Sequence, residues 1–162
     1  MKNKKVLFLA QGAIIAALYV ALTHAANALG LANGAIQVRL SEALTILPVF
    51  TPAAIPGLTI GCLISNLTTG CIPWDIFGGT MATLIGAAGT YLLRRHYAIG
   101  SLPPIIANTI IVPFVLSYAY QFEGTIPYFM LTVGVGEVIS CGILGTILMI
   151  ALKKKSGLIH WA

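Results

Sequence analysis

Charge is what this sequence has least of. Asp, Glu, Lys and Arg make up 8% of its 162 residues, against 58% hydrophobic positions and a mean hydropathy of +0.95. A soluble domain carries roughly a quarter charged residues, so a water-facing surface cannot be built from this composition. The sequence also lacks a GxxxxGK[ST] phosphate loop, an HExxH helix, a GxSxG elbow and any CxxC pair. That removes the usual machinery for ATP hydrolysis, zinc binding and nucleophilic hydrolysis, and no cofactor is expected. Cys62, Cys71 and Cys141 are an odd number at scattered spacing, which fits neither a disulfide framework nor a metal site. They read as small packing residues, with Cys71 close enough to a loop to be a reactive thiol. The net charge of +5 comes without a basic helix or an aromatic platform. Nucleic acid is therefore not an expected partner, and orientation in a membrane explains the charge better.

What is present is a series of long apolar runs separated by short polar ones. Val6 to Leu29 has the length of a bilayer crossing. Its basic start and the Ala26-Asn27-Ala28 pattern resemble a signal peptide, but the run exceeds the ~7–15 residues of a signal h-region and reads as a first helix. Gly30, Asn33 and Gly34 make a turn after it. From Ala43 to Trp74 there is no charge at all, and Pro48, Pro52 and Pro56 divide this stretch into two helices. The expected spans are about 6–29, 39–50, 54–69, 75–93, 102–120 and 126–152, with Pro113 a candidate kink. The fold class expected is all-α, an integral membrane bundle of six transmembrane helices forming one domain over residues 1–162.

Six crossings put both termini and the Arg94-Arg95 loop on one side, together with eight of the nine Lys and Arg residues. The positive-inside rule assigns that side to the cytoplasm, giving a multi-pass protein of the plasma membrane with both ends cytoplasmic. A five-helix count separates the two terminal Lys clusters. Glu42, Asp75, Glu123 and Glu137 fall in the outer half or the outer loops, and no internal repeat is evident.

Glu137 is the most informative residue. An ionised carboxylate near the bilayer centre costs on the order of 2.5–3.5 kcal/mol, so it should face the interior and have a partner, either a guest or a structural neighbour. Trp74 and Asp75 stand together at the outer mouth of the fourth helix, suited to stacking on and accepting from a flat ligand; an interfacial Trp and a helix-capping Asp are the alternative. Arg39 and Glu42, three apart, either satisfy each other or rim the outer opening with Gln37. Asn66 and Asn108 offer amides that recognise a polar heterocycle or tie helices together. Tyr118, Tyr120 and Tyr128 suit an aromatic belt, and His24 and Asn27 end the first helix. Ala13, Ala17, Ala21 and Ala25 recur at every fourth position beside Gly12 and Ala16, a smooth stripe that allows close approach of another helix.

The segment Gln37-Val38-Arg39-Leu40-Ser41-Glu42-Ala43-Leu44, continuing through ILPVFTPAAIPGLTIGCLISN, is distinctive. So are Cys71-Ile72-Pro73-Trp74-Asp75 with the following FGGT, and Gly-Val-Gly-Glu137. Through these stretches the chain resembles, over nearly its whole length, the queuosine-precursor transporter (QueT-like) family of substrate-binding S components in energy-coupling factor (ECF) transporters. The resemblance implies a subunit that captures a small vitamin-like molecule from outside and topples in the membrane. Its implied partners are a transmembrane coupling protein, which meets Ala13, Ala17 and Ala21, and two cytoplasmic ATPases. The implied substrates are 7-deazaguanines such as preQ1, preQ0 or queuine. Their paired donors suit Glu137, with Asn108 completing that edge, Trp74 or a Tyr stacking, and Asp75 or Glu42 meeting an aminomethyl cation. Two rival readings remain: a proton- or cation-coupled secondary transporter in which Glu137 titrates, and a membrane scaffold protein that binds no small molecule.

Overall fold

The computed structural model describes residues 3–31, 37–121 and 123–155. The turn expected at Asn33 and Gly34 lies outside them. Among the described residues there is helix and connection but no strand. That is the all-α class demanded by a chain whose backbone must pair its own polar groups away from water.

Helix α1 spans Lys4–Ala28 and ends where Gly30 takes a φ of 72°, a left-handed exit open to glycine. The segment expected as an α-helix over 39–50 is instead a 3-10 helix, Leu40–Val49. Pro48 has no N–H to offer the carbonyl four residues back, and the tighter helix tolerates this over a short run. At about 2.0 Å per residue its ten residues reach roughly 20 Å, short of a bilayer core of about 30 Å.

Helix α2 follows at Ala54–Thr68, then α3 at Pro73–Leu92 and a short 3-10 connection at Arg94–Ile99. Helix α4, Leu102–Phe114, keeps going past Pro113 and widens into a π-helical turn at Val115–Ala119. Helix α5, Ile126–Glu137, passes through a second π-helical stretch, Val138–Leu144, into α6, Gly145–Lys154. Among the described residues three continuous helices, Lys4–Ala28, Leu102–Ala119 and Ile126–Lys154, are long and apolar enough to cross a membrane.

Small residues let these helices approach closely. A Cβ on Gly57 would stand 2.7 Å from the Gly12 carbonyl oxygen, and one on Gly61 would stand 2.8 Å from the Tyr19 Cβ. The Gly12 and Ala16 row of α1 is thus used within the chain, against a GxxxG on α2. Ala13, Ala17 and Ala21, on the adjoining row, remain exposed. Residue numbers rise together along this contact, so α1 and α2 run parallel. Gly78 against Val115 and Gly86 against Pro104 set α3 and α4 antiparallel.

Ile15, Tyr19, Leu44, Leu58 and Ala87 form the core where α1, the 3-10 helix, α2 and α3 meet. Leu9, Phe77, Leu131 and Ile147 are uncovered on the outside, as hydrocarbon surroundings permit. Chain direction gathers Lys4, Lys5, Arg94, Arg95 and Lys153 to Lys155 at one end, where Lys153 lies over the Tyr97 ring.

Candidate functional site

At the other end a cavity of about 280 Å³ opens between the last turns of α1 and α2, the first turn of α3, the end of α4 and residues 37–41. That is the small end of the range for ligand pockets, a size for a compact heterocycle. For so apolar a chain its wall is rich in hydrogen-bonding groups: Tyr19, Asn27, Gln37, Arg39, Ser41, Asn66, Asp75 and Tyr120 all contribute.

Asp75 sits in the first turn of α3, where the helix dipole favours a carboxylate. Its Oδ2 accepts the Tyr120 hydroxyl at 3.0 Å. Asn66 is buried on α2, with Nδ2 3.6 Å from the Cys62 sulfur. Arg39 lies in extended backbone just before the 3-10 helix, its N–H donating to Ser140 Oγ at 3.1 Å. The neighbouring Gln37 carbonyl presses onto Gly136, where a Cβ would collide with it. Residues 37–39 are therefore laid across the helix that carries Glu137.

Tyr19 connects the cavity to a second, enclosed polar cluster. Its hydroxyl donates to Glu42 Oε1. The ligand atoms of Glu42, Glu137 and Cys141 all lie within 4.8 Å of one another. Cys141 Sγ donates to Glu137 Oε2 at 3.1 Å, Thr45 Oγ1 donates to Cys141 Sγ at 3.3 Å, and the Asn108 side chain lies against both carboxylates. Two carboxylates so close in a buried site repel when ionised, and the donors around them offset that cost. The π-helical turn beginning at Val138 carries Cys141, and such turns recur at functional sites.

Of the residues singled out from the sequence, Gln37, Arg39, Asn66 and Asp75 line the cavity, while Glu42, Asn108 and Glu137 form the cluster behind it. Trp74 requires a correction. It is 72% exposed and lines an outward apolar groove with Phe77 and Phe114, because successive residues on a helix point about 100° apart and Asp75 takes the inward direction. Arg39 and Glu42 form no ion pair among the described residues; Glu42 is held by Tyr19 instead. His24 meets Thr68 Oγ1 at 3.0 Å outside the cavity wall, whereas Asn27 belongs to it.

The sequence reading missed Tyr19, Ser41 and Cys141. Tyr19 shares a buried face of α1 with Ile15 and Ala26, and a buried phenol seeks an acceptor, so a signal existed. Cys141 follows Glu137 by one turn, another usable signal. Nothing in the sequence distinguished Ser41, which accepts from Thr23 Oγ1 at 2.9 Å.

Comparison with known proteins adds family information to this geometry. The model of a family described as QueT transporter matches residues 9–154. A curated protein from Lactococcus lactis subsp. cremoris (strain MG1363), "Queuosine precursor transporter QueT", is 38% identical over 86 residues, which are 52% of this chain and 50% of the relative. The alignment thus spans about half the length of that relative. No solved structure matches.

Proposed function

The chain belongs to the QueT transporter family, and from that premise we propose that it is the substrate-capturing S component of an ECF transporter. It takes up a queuosine precursor, a 7-deazaguanine such as preQ1, preQ0 or queuine, from the outer face of the plasma membrane. The observation that carries this reading is the cavity: a small polar-walled pocket at the end of an otherwise apolar bundle, remote from the basic clusters. In this reading both termini are cytoplasmic, the cavity opens outward, and the chain crosses the membrane six times, the short 3-10 helix completing its crossing inside the bundle together with the residues that flank it.

Gln37, Arg39, Asn66 and Asp75 contact the guest. Glu42, Asn108 and Glu137 act from behind the wall, fixing Tyr19 and the pocket floor. The Tyr19 and Tyr120 rings replace Trp74 as candidates for stacking on the base. A transmembrane coupling protein docks on exposed Ala13, Ala17 and Ala21, and two cytoplasmic ATPases supply the energy, since this chain carries no phosphate loop of its own.

Reconstitution into liposomes tests the proposal. The chain alone binds labelled preQ1 but accumulates none; with the coupling protein and ATPases added, uptake follows ATP hydrolysis. The enclosed Glu42 and Glu137 pair favours one other reading, a proton-coupled secondary transporter, which predicts gradient-driven accumulation by the chain alone.

A further inference from the structure

The cavity wall contains a cation and an anion that are close enough to influence each other yet do not pair. Asp75 is the acid whose charge acts most strongly on Arg39, but no ion pair within 4 Å joins them. Among the described residues the Arg39 guanidinium makes no hydrogen bond; only its backbone N–H is engaged. On the other side Tyr120 occupies Asp75 Oδ2 and leaves Oδ1 without a hydrogen bond among the described residues. Among the described residues the half-buried Arg39 guanidinium thus lacks an acceptor and Asp75, 7% exposed, is half-satisfied, and polar groups withdrawn from water without partners are costly. Both deficits face the same 280 Å³ space.

We propose that Arg39 and Asp75 together read one edge of the guest, Arg39 donating to its ring keto oxygen and Asp75 accepting from the ring N–H and exocyclic amine beside it. This deepens the 7-deazaguanine reading above and rests on it. The edge of that base runs acceptor, donor, donor, and an Arg next to an Asp presents donor, acceptor, acceptor. In this class of base, position 7 is carbon, so the keto oxygen is the one acceptor on that side for a guanidinium to grip. The bidentate arrangement at Asp75 uses both carboxylate oxygens, and Oδ2 has lone pairs enough to keep Tyr120 as well. Arg39 and Asp75 thereby set specificity, while the Glu42, Asn108 and Glu137 cluster supports the floor.

The test pairs variants with bases on the purified full chain, read by equilibrium binding. The parent binds 7-deazaguanine at least about 10-fold tighter than 2,6-diamino-7-deazapurine, in which an amine replaces the keto oxygen facing Arg39 and the ring nitrogen facing Asp75 loses its hydrogen, since each lost hydrogen bond to a charged group is worth about 10-fold or more. Arg39→Met narrows that ratio, leaving the part set by Asp75 and the ring N–H, and Arg39→Lys restores part of what is lost. Asp75→Asn reverses the order of 7-deazaguanine and 7-deazaxanthine, because a carboxamide can donate to the second keto group. A gain of 7-deazaxanthine binding cannot come from misfolding. If the parent binds 7-deazaguanine and Asp75→Asn ranks the two bases as the parent does, the assignment of this edge is overturned. If the parent binds none of these bases, the proposed function fails and this inference goes with it.

Discussion

The Tyr19 hydroxyl donates to the Glu42 carboxylate across 23 residues of sequence, binding α1 to the 3-10 helix at the boundary between the cavity and the enclosed cluster. Glu42 is 1% exposed and Tyr19 is 2% exposed, so water cannot take over if either partner is lost. Tyr19→Phe should destabilise the protein by about 1–3 kcal/mol, the penalty for leaving a buried acceptor without its donor. Thermal unfolding in detergent checks this. Adding Glu42→Gln should recover part of the loss, because the pair is then removed together, and strict additivity of the two single effects would contradict the coupling.

The two small-residue rows of α1 separate internal packing from a surface available to a partner. Gly57→Val on α2 drives a side chain into the Gly12 backbone and should cost about 1–3 kcal/mol through overpacking. Ala13→Leu and Ala17→Leu, at exposed positions, should leave the melting temperature of the isolated chain unchanged. Those same substitutions should abolish co-purification with the coupling protein. An equal loss of stability in both sets would mean that both rows pack inside the chain.

Residues 37–39 lie across the helix bearing Glu137 because Gly136 has no side chain. Gly136→Ala should push the Gln37 carbonyl away, shift Arg39 within the cavity and weaken ligand binding about 10-fold or more, as expected if a charged hydrogen bond is lost. Gly134→Ala meets only Thr109, at an ordinary 3.5 Å, and should bind like the parent. Titrating both variants with the same ligand separates a specific displacement from a general effect of alanine.

Much of the helical framework was legible, and the reasons are physical. Pro52 falls between the 3-10 helix and α2, and the Arg94-Arg95 pair follows α3, so both mark element ends in one dimension, whereas Pro48, Pro56 and Pro113 are accommodated inside helices. The 3-10 geometry of Leu40–Val49 was not legible, since helix type depends on local hydrogen-bond competition that periodicity does not report. Trp74 and Asp75 misled for the opposite reason: adjacency in sequence suggested one site, whereas helix phase sends them to different surfaces. The approach of Glu42 to Glu137, which are 95 positions apart, is a tertiary event. The sequence could say that each acid requires a partner, but not that they sit side by side.

Orientation is testable without any ligand. Single cysteines introduced at exposed Glu123 and exposed Arg95 in a background lacking Cys62, Cys71 and Cys141 should react oppositely with an impermeant maleimide. Intact cells should label the Glu123 position, and the Arg95 position should label only after lysis. The reverse pattern would turn the cavity toward the cytoplasm and contradict capture from outside.

Equilibrium titration of the purified chain alone with preQ1, alongside riboflavin and thiamine, tests the central claim most directly. The account predicts saturable binding of the deazaguanine at one site per chain, lost in Asp75→Ala, and no binding of the two unrelated vitamins. Absence of deazaguanine binding to a folded chain, or equal binding of all three compounds, would contradict it.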